Sequence, residues 1–254
     1  MPLSKINRPG LNTGIADSSD ATAITIDSAE SVGIINTTPG NYLEGELTVG
    51  NSTKDQYVNI VTGAANAAGL CFQDATGTSI VGGLRYTHSD NNLAMWTNGS
   101  SRLVVNGNGQ VTMPNQPMFR VARNTDYTHT ASQNIQWNHS HFNVGSHFNT
   151  ASTYVFTAPV AGVYWFQATV IFNGLANGTN LYDSLRFRIN GAVNGYSTRR
   201  GIYNTTSMSA GYFVDEIADA YQLSANDTVG ISCEHNVGIH GNNLYTRFNG
   251  FLVG

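Results

Sequence analysis

One stretch of this chain limits its fold more than any other: Phe156-Thr157-Ala158-Pro159-Val160-Ala161-Gly162-Val163-Tyr164-Trp165-Phe166. Proline has no backbone N–H, so Pro159 suits a turn or a strand entrance, not the interior of a sheet. Gly162 can take a positive φ at no steric cost. From Val163 to Phe172 the chain reads VYWFQATVIF, a run dense in β-branched and aromatic residues and so a strand. Its near-continuous apolarity asks for cover on both faces. One face would meet the core, the other a second sheet or a second subunit.

Composition agrees with short strands joined by tight turns. Charged residues make up 11% of the chain against 41% hydrophobic, where ordinary domains carry about 25% charge. Asn, Thr, Ser and Gly take up the difference, and the only lysines are Lys5 and Lys54. A surface with so little charge protects its sheet edges poorly, and permanent assembly would remove that liability. A net charge of −4 gives no reason to expect nucleic-acid binding. No apolar run is long enough for a transmembrane helix, so membrane insertion is not expected. The first residues lack the apolar core of a signal peptide, which leads us to expect synthesis in a cytoplasm. Cys71 and Cys233 lie far apart outside any C-x-x-C pattern and read as two free, buried thiols.

The front half is also β in character. Residues 1–20 carry Pro9, Gly10 and Gly14 and read as an extended arm. Residues 24–34 and 103–113 repeat one form: a short apolar strand, a polar turn of Asp or Asn with small residues, then a second short strand. That is a hairpin pattern, and such a hairpin buries too little to stand alone. Between the two copies, residues 82–103 read as a meander turning at Asp90-Asn91-Asn92 and Asn98-Gly99. Leu84, Tyr86, Leu93, Met95 and Leu103 are expected to face inward. Ala64–Ala68 is too tightly bracketed by Gly63 and Gly69 for more than one helical turn. Met113-Pro114-Asn115-Gln116-Pro117 is the natural linker, because two prolines so close break strand pairing.

Three stretches carry a family resemblance. The Phe156–Phe166 segment, the segment Leu223-Ser224-Ala225-Asn226-Asp227-Thr228-Val229-Gly230-Ile231, and the closing Phe248-Asn249-Gly250-Phe251-Leu252 resemble, in order, the signature of the C1q/TNF-like globular head. The resemblance implies a ten-stranded jelly-roll β-sandwich over residues 117–254, homotrimeric and binding rather than catalytic. It gives Phe156, Pro159, Gly162, Tyr164, Phe166, Phe248, Gly250 and Phe251 roles in the core and the trimer. Residues 66–113, with a fainter copy at 22–35, are similar to a recurring β segment of bacteriophage tail fibres. No collagen-like Gly-X-Y stalk precedes the head, so a trimeric stalk would have to be the β-structured front half.

The all-β organisation expected is therefore an arm at 1–20, a β-meander shaft or small β domain at 21–116, and a jelly-roll head at 117–254. Together the resemblances imply a bacteriophage tail fibre or tail tip. Its arm would dock on other tail or capsid proteins of the virion, and its head would contact a host glycan or protein during adsorption. A capsid decoration protein without a receptor, or a secreted C1q-like lectin or adhesin, are the alternatives.

No catalytic motif is present: there is no Gly-x-Ser-x-Gly elbow, phosphate loop or Cys/His zinc spacing. Asp215-Glu216 and Asp219 read as a solvated loop, and the chain reads as a non-enzyme. His139-Ser140-His141 would place two imidazoles on one strand face. On a three-fold axis these could hold a transition metal, as trimeric phage fibres do; the solvent face of an outer strand is the plainer reading. Asp183, Asp227 and Asn242-Asn243 offer oxygen ligands for calcium, though their spacing matches no calcium loop. Arg186, Arg188, Arg199 and Arg200 form the densest positive cluster, with Tyr196 and Tyr203 close by. Arg199, Arg200, Tyr196 and Tyr203 are candidates for a receptor-binding patch, Arg and Tyr being the residues of binding hot spots. Pairing with the few acidic residues is the structural alternative.

Overall fold

The computed structural model describes residues 55, 57–73, 80–175, 178–192 and 211–254 in full, together with the backbone of strands Ile15–Ala16, Thr22–Ile26, Val32–Ile34, Leu47–Val49 and Arg199–Tyr203. Every regular element among them is a strand except one 3-10 turn, Val144–Ser146.

Strands β1 (Ile15–Ala16), β2 (Thr22–Ile26), β3 (Val32–Ile34) and β4 (Leu47–Val49) form a four-stranded sheet in that order. The first expected hairpin is there: β2 and β3 pair antiparallel, Ile24 opposite Ile34 and Ile26 opposite Val32. The expected arm lies outside the described residues apart from Ile15–Ala16, which pairs with β2.

Strands β5 (Ala67–Phe72), β6 (Gly82–Thr87), β7 (Asn92–Thr97), β8 (Ser100–Val105) and β9 (Val111–Thr112) follow one another in a five-stranded sheet. Its turns obey local chemistry. Asn98 and Gly99 both have positive φ, 49° and 71°, the requirement of a type I′ hairpin turn. In the second hairpin, Asn106 Oδ1 accepts the N–H groups of Asn108 and Gln110, each at 3.0 Å, and so fixes the turn that the side chain begins.

The faces of this sheet differ from expectation. Leu84, Tyr86, Leu93 and Met95 are exposed, while Ala94 on the alternate face of β7 is buried. Period two defines two faces of a strand but does not say which one is covered. Cys71, expected to be buried, is also exposed on β5; Cys233 is buried, and neither forms a disulfide.

The rest of the described chain is a sandwich. Its strands are β10 (Met118–Ala122), β11 (Tyr127–His129), β12 (Gln133–Asn134), β13 (His139–Asn143), β14 (Phe156–Thr157), β15 (Gly162–Asn173), β16 (Asn180–Ile189), β17 (Arg199–Tyr203), β18 (Phe213–Leu223), β19 (Thr228–Cys233), β20 (Val237–Ile239) and β21 (Arg247–Leu252). One sheet runs β11-β20-β15-β21-β10-β13, with β18 along the other edge of β15; the second runs β12-β19-β16-β17, with β14 on β19. Only three residues separate β11 from β12, and three separate β19 from β20, yet each pair switches sheets. Counted as two crossing strands, these four segments give the ten strands of a C1q/TNF-like jelly roll.

Aromatic rings fill the space between the sheets. Phe119 lies 4.8 Å from Phe148, 5.1 Å from Phe156 and 5.0 Å from Phe248, centroid to centroid. Tyr164 and Phe166 project into the same core from β15. The Tyr164 hydroxyl donates to the Val160 carbonyl at 2.8 Å, which ties the turn after Pro159 to the strand it introduces. The later motif behaves likewise. Asn226 adopts φ 73°, and Asp227 Oδ2 accepts the Ser224 N–H at 2.7 Å. The turn thus delivers Val229 and Ile231 to the core fully buried.

In the family-like motifs Gly162 and Gly250 matter through space, and Gly162 corrects the sequence reading. It does not use a positive φ; a Cβ there would lie 2.7 Å from Leu252 Cδ1 and 3.0 Å from the Gly254 carbonyl oxygen. Gly250 is tighter still, because a Cβ would meet Phe166 Cδ1 at 2.4 Å and Phe119 Cε1 at 2.9 Å. Gly250→Ala is therefore expected to cost about 1–3 kcal/mol through overpacking. The reading is a lower denaturant midpoint with an unchanged slope; an unchanged midpoint would show that the rings give way freely.

Asp215 is a further correction. It sits on β18 rather than in a solvated loop, is buried, and accepts a hydrogen bond from the buried Ser184 hydroxyl. The strand period turns it inward between Val214 and Glu216, both exposed.

Candidate functional site

The outer face of the larger sandwich sheet is the least finished surface of the head. Backbone register lines up Met118, Phe251, Trp165 and Ala220 in one row across β10, β21, β15 and β18. Phe142, Arg120, Asn249, Gln167 and Ala218 form the next. Phe142, Trp165 and Phe251 are exposed at 46%, 36% and 45%. That exposure is high for Trp165 and Phe251, which sit on the central strands β15 and β21, with Phe142 beside them on the edge strand β13.

Between the rows lies a groove of about 610 Å³ floored by Arg120, Gln167 and Asn249. The buried Nε of Arg120 has no hydrogen-bond partner among the described residues. Glu216 accepts from Gln167 Nε2 at 2.6 Å and from Thr169 Oγ1 at 3.2 Å, so its charge is held against the same face. Farther along β15, from Ala168 to Phe172, both faces are covered within the chain. Only the Trp165 end of the run lacks its second cover. The sequence reading gave Phe251 a core or trimer role and Trp165 only a place in the apolar run, and it missed Met118, Arg120 and Phe142. The alternation Met118-Phe119-Arg120-Val121, with Phe119 and Val121 buried, is the signal that would have placed Arg120 outward.

The other expected site residues scatter. Phe156, Tyr164, Phe166 and Phe248 belong to the core, and Phe251 belongs to the outer face. His139 and His141 do come together, ring centroids 4.8 Å apart, and His141 Nε2 lies 2.8 Å from the Asn243 carbonyl oxygen. Among the described residues no three His, Cys, Asp or Glu side chains of one chain converge as metal ligands. The oxygen-rich positions named for calcium make local contacts: Asp183 pairs with Arg186 at 3.5 Å, Asp227 staples its own turn, and Asn242 Oδ1 accepts the Leu244 N–H at 2.9 Å. Arg186 also approaches Glu234 at 3.7 Å. Arg188 donates to the carbonyls of Ser132 and Gly191 at 2.6 Å. Tyr196 lies outside the described residues. Arg199, Arg200 and Tyr203 are described in backbone only, on β17 opposite Arg186, Leu185 and Asn180.

The C1q domain model matches residues 118–253, the span of the sandwich. This chain belongs to the C1q domain family. Solved structures similar to the C1q domain include three from animals. The globular domain of zebrafish complement 1qA protein is 22% identical, with 55% of this chain and 98% of that one covered and a TM-score of 0.42. Eiger TNF from S. frugiperda is 12% identical, covers 55% and 93%, and scores 0.43. Murine APRIL at pH 8.0 is 11% identical, covers 54% and 99%, and scores 0.38. No curated protein matches the sequence. C1q/TNF-like domains are trimer-forming binding or structural modules, not enzymes.

Where β11 and β12 cross between the sheets, the C1q domain holds a buried polar chain that the sequence did not reveal. His129 Nε2 lies 3.1 Å from the Cys233 carbonyl oxygen, and Nδ1 lies 3.2 Å from the Tyr127 hydroxyl. A carbonyl can only accept, so Nε2 carries the proton and Tyr127 donates to Nδ1. The Tyr127 oxygen in turn accepts the Gln136 N–H at 3.0 Å. Burial pushes the Tyr127 phenol up to about 12, the Cys233 thiol up to about 12, and His129 below its ordinary 6.5. Because folded His129 resists protonation, the unfolded chain binds more protons once pH falls below about 6.5. His129 contributes no pH dependence above that point. Below it, stability declines until pH passes the depressed folded value. Denaturant midpoints are therefore expected to fall between pH 7 and pH 5, and His129→Gln should flatten that decline. An equal decline in the variant would assign it to other groups.

Proposed function

We propose that this protein is a homotrimeric virion fibre of a bacteriophage, placed at the tail, whose C1q-type head contacts the bacterial surface during adsorption. The observation that carries the trimer is the aromatic outer face, Trp165, Phe251 and Phe142 around Arg120, whose buried Nε has no hydrogen-bond partner among the described residues. The front half supports a fibre. Its β5–β9 meander leaves Leu84, Leu93 and Met95 exposed, side chains that partner chains would cover. Its repeated hairpins and their turns resemble tail-fibre segments. Residues 1–20 would dock on the particle, and the three heads would bind a surface glycan or protein by avidity rather than through one deep pocket.

The test is to add labelled full-length protein to a panel of bacterial strains and measure bound label and competition with phage adsorption. Saturable binding to some strains, with loss of adsorption there, is the expected result. Presence in the virion with no binding to any strain that the phage infects would select a decoration protein with no receptor.

A further inference from the structure

We propose that the cavity where β11 and β12 meet the loop at 152–154 binds an uncharged saccharide; this rests on the reading that the head contacts a surface glycan, and names its class and its site. The cavity measures about 360 Å³, at the lower end of the about 300–1,000 Å³ of ligand pockets and suited to one or two sugar rings. It shares no lining residue with the groove on the outer sheet face and is a separate site within the chain.

The lining chemistry is selective. Tyr127 and Tyr154 supply aromatic surface, Gln133 and Gln136 supply carboxamides, and Thr130 and Ser152 supply hydroxyls. No Asp, Glu, Lys or Arg lines the cavity, and His129 is held neutral by burial. Arg123 lies 4.2 Å over the Tyr127 ring, but its guanidinium is committed to the Thr125 and Gln136 carbonyls. An acidic sugar or a phosphate would therefore give up its hydration for no counter-charge. An apolar ligand would bury the glutamine amides without partners, which is costly. A neutral sugar avoids both penalties. Each hydroxyl donates and accepts, which matches a carboxamide, and the C–H face of a pyranose covers an aromatic ring.

The walls are set before any ligand arrives. The Tyr127 hydroxyl is already used by His129 and by the Gln136 N–H, so the phenol is fixed. Asn134 Nδ2 donates to the Thr153 carbonyl at 3.0 Å, which ties β12 to the loop, while the buried Asn134 Oδ1 has no hydrogen-bond partner among the described residues. Tyr154, which lines the cavity, holds left-handed backbone at φ 55°. Such conformations are costly for a bulky side chain and cluster at binding sites. By contrast, the side-chain amides of Gln133 and Gln136 make no hydrogen bond among the described residues, and both residues are exposed. They are free for a ligand, and their replacement should not disturb the fold.

The experiment is saturation-transfer NMR on the full-length protein. The probes are soluble neutral oligosaccharides of glucose, galactose, mannose and N-acetylglucosamine, with oligogalacturonate and hyaluronan fragments as acidic comparisons. At least one neutral probe is expected to bind. The double variant Gln133→Ala/Gln136→Ala, at an unchanged melting temperature, should weaken it by about tenfold. Silence from every neutral probe, or equal binding by the double variant, would overturn the proposal. Cell binding separates this result from the reading it rests on. If bacteria bind both proteins equally, the cavity is not the contact and the host-binding reading stands. If oligosaccharide binds through the cavity but no bacterium is bound, the saccharide site stands and the host-binding reading fails.

Discussion

Trp165→Glu combined with Phe251→Glu is expected to convert the proposed trimer into folded monomers. The two rings are neighbours in one row of the outer sheet face, and neither belongs to the core between the sheets. Buried aromatics at the centre of an interface are each worth about 2 kcal/mol or more on truncation. A carboxylate placed in a desolvated contact costs several kcal/mol more, and three-fold assembly repeats that cost in every subunit. Because both positions are well exposed within one chain, the fold itself should survive. Sedimentation or light scattering reads the mass, and circular dichroism reads the fold. A double variant that remains trimeric would place the contact on another surface.

Phe119→Ala should have the largest effect on the fold. Phe119 is 1% exposed and packs against Phe148, Phe156, Phe166 and Phe248, rings contributed by both sides of the sandwich. Removing it opens a cavity that those flat, mutually wedged rings fill poorly. A loss of about 3–5 kcal/mol is expected, or roughly 10–20 °C in melting temperature for a domain of this size. A shift of only about 2 °C would mean that the rings collapse onto the gap and that the core is less specifically packed than its geometry shows.

What the sequence made legible was local. Pro159 and the Tyr-Trp-Phe run announced β15 because turn and strand chemistry act over a few residues. Asn98-Gly99 announced its turn for the same reason, whereas the turn at Asn226-Asp227 was legible only through the family resemblance. Where the reading fell short, the cause was a partner distant in sequence. Gly162 is needed because Leu252 and Gly254 come back against it, not because of its own φ. Asp215 looked solvated among acidic neighbours, yet Ser184, thirty-one residues earlier, receives it inside the sandwich. Leu84, Leu93 and Met95 share the strand alternation of true core residues, but nothing in that alternation says whether their cover comes from the same chain. The saccharide cavity was invisible for a similar reason. Gln133, Gln136 and Tyr154 resemble ordinary loop residues until the crossing of β11 and β12 brings them to one hollow. The buried Ile135 and Trp137 on either side of Gln136 were the only hint that Gln136 faces outward.

The central claim is that the aromatic outer face is covered by two further copies of this chain. Light scattering of the purified full-length protein, at working concentration and after dilution, tests it most directly. The account predicts a mass about three times 27.3 kDa that persists on dilution. A stable monomer would contradict it, and would leave Trp165, Phe251 and Phe142 as surface aromatics of a solitary sandwich.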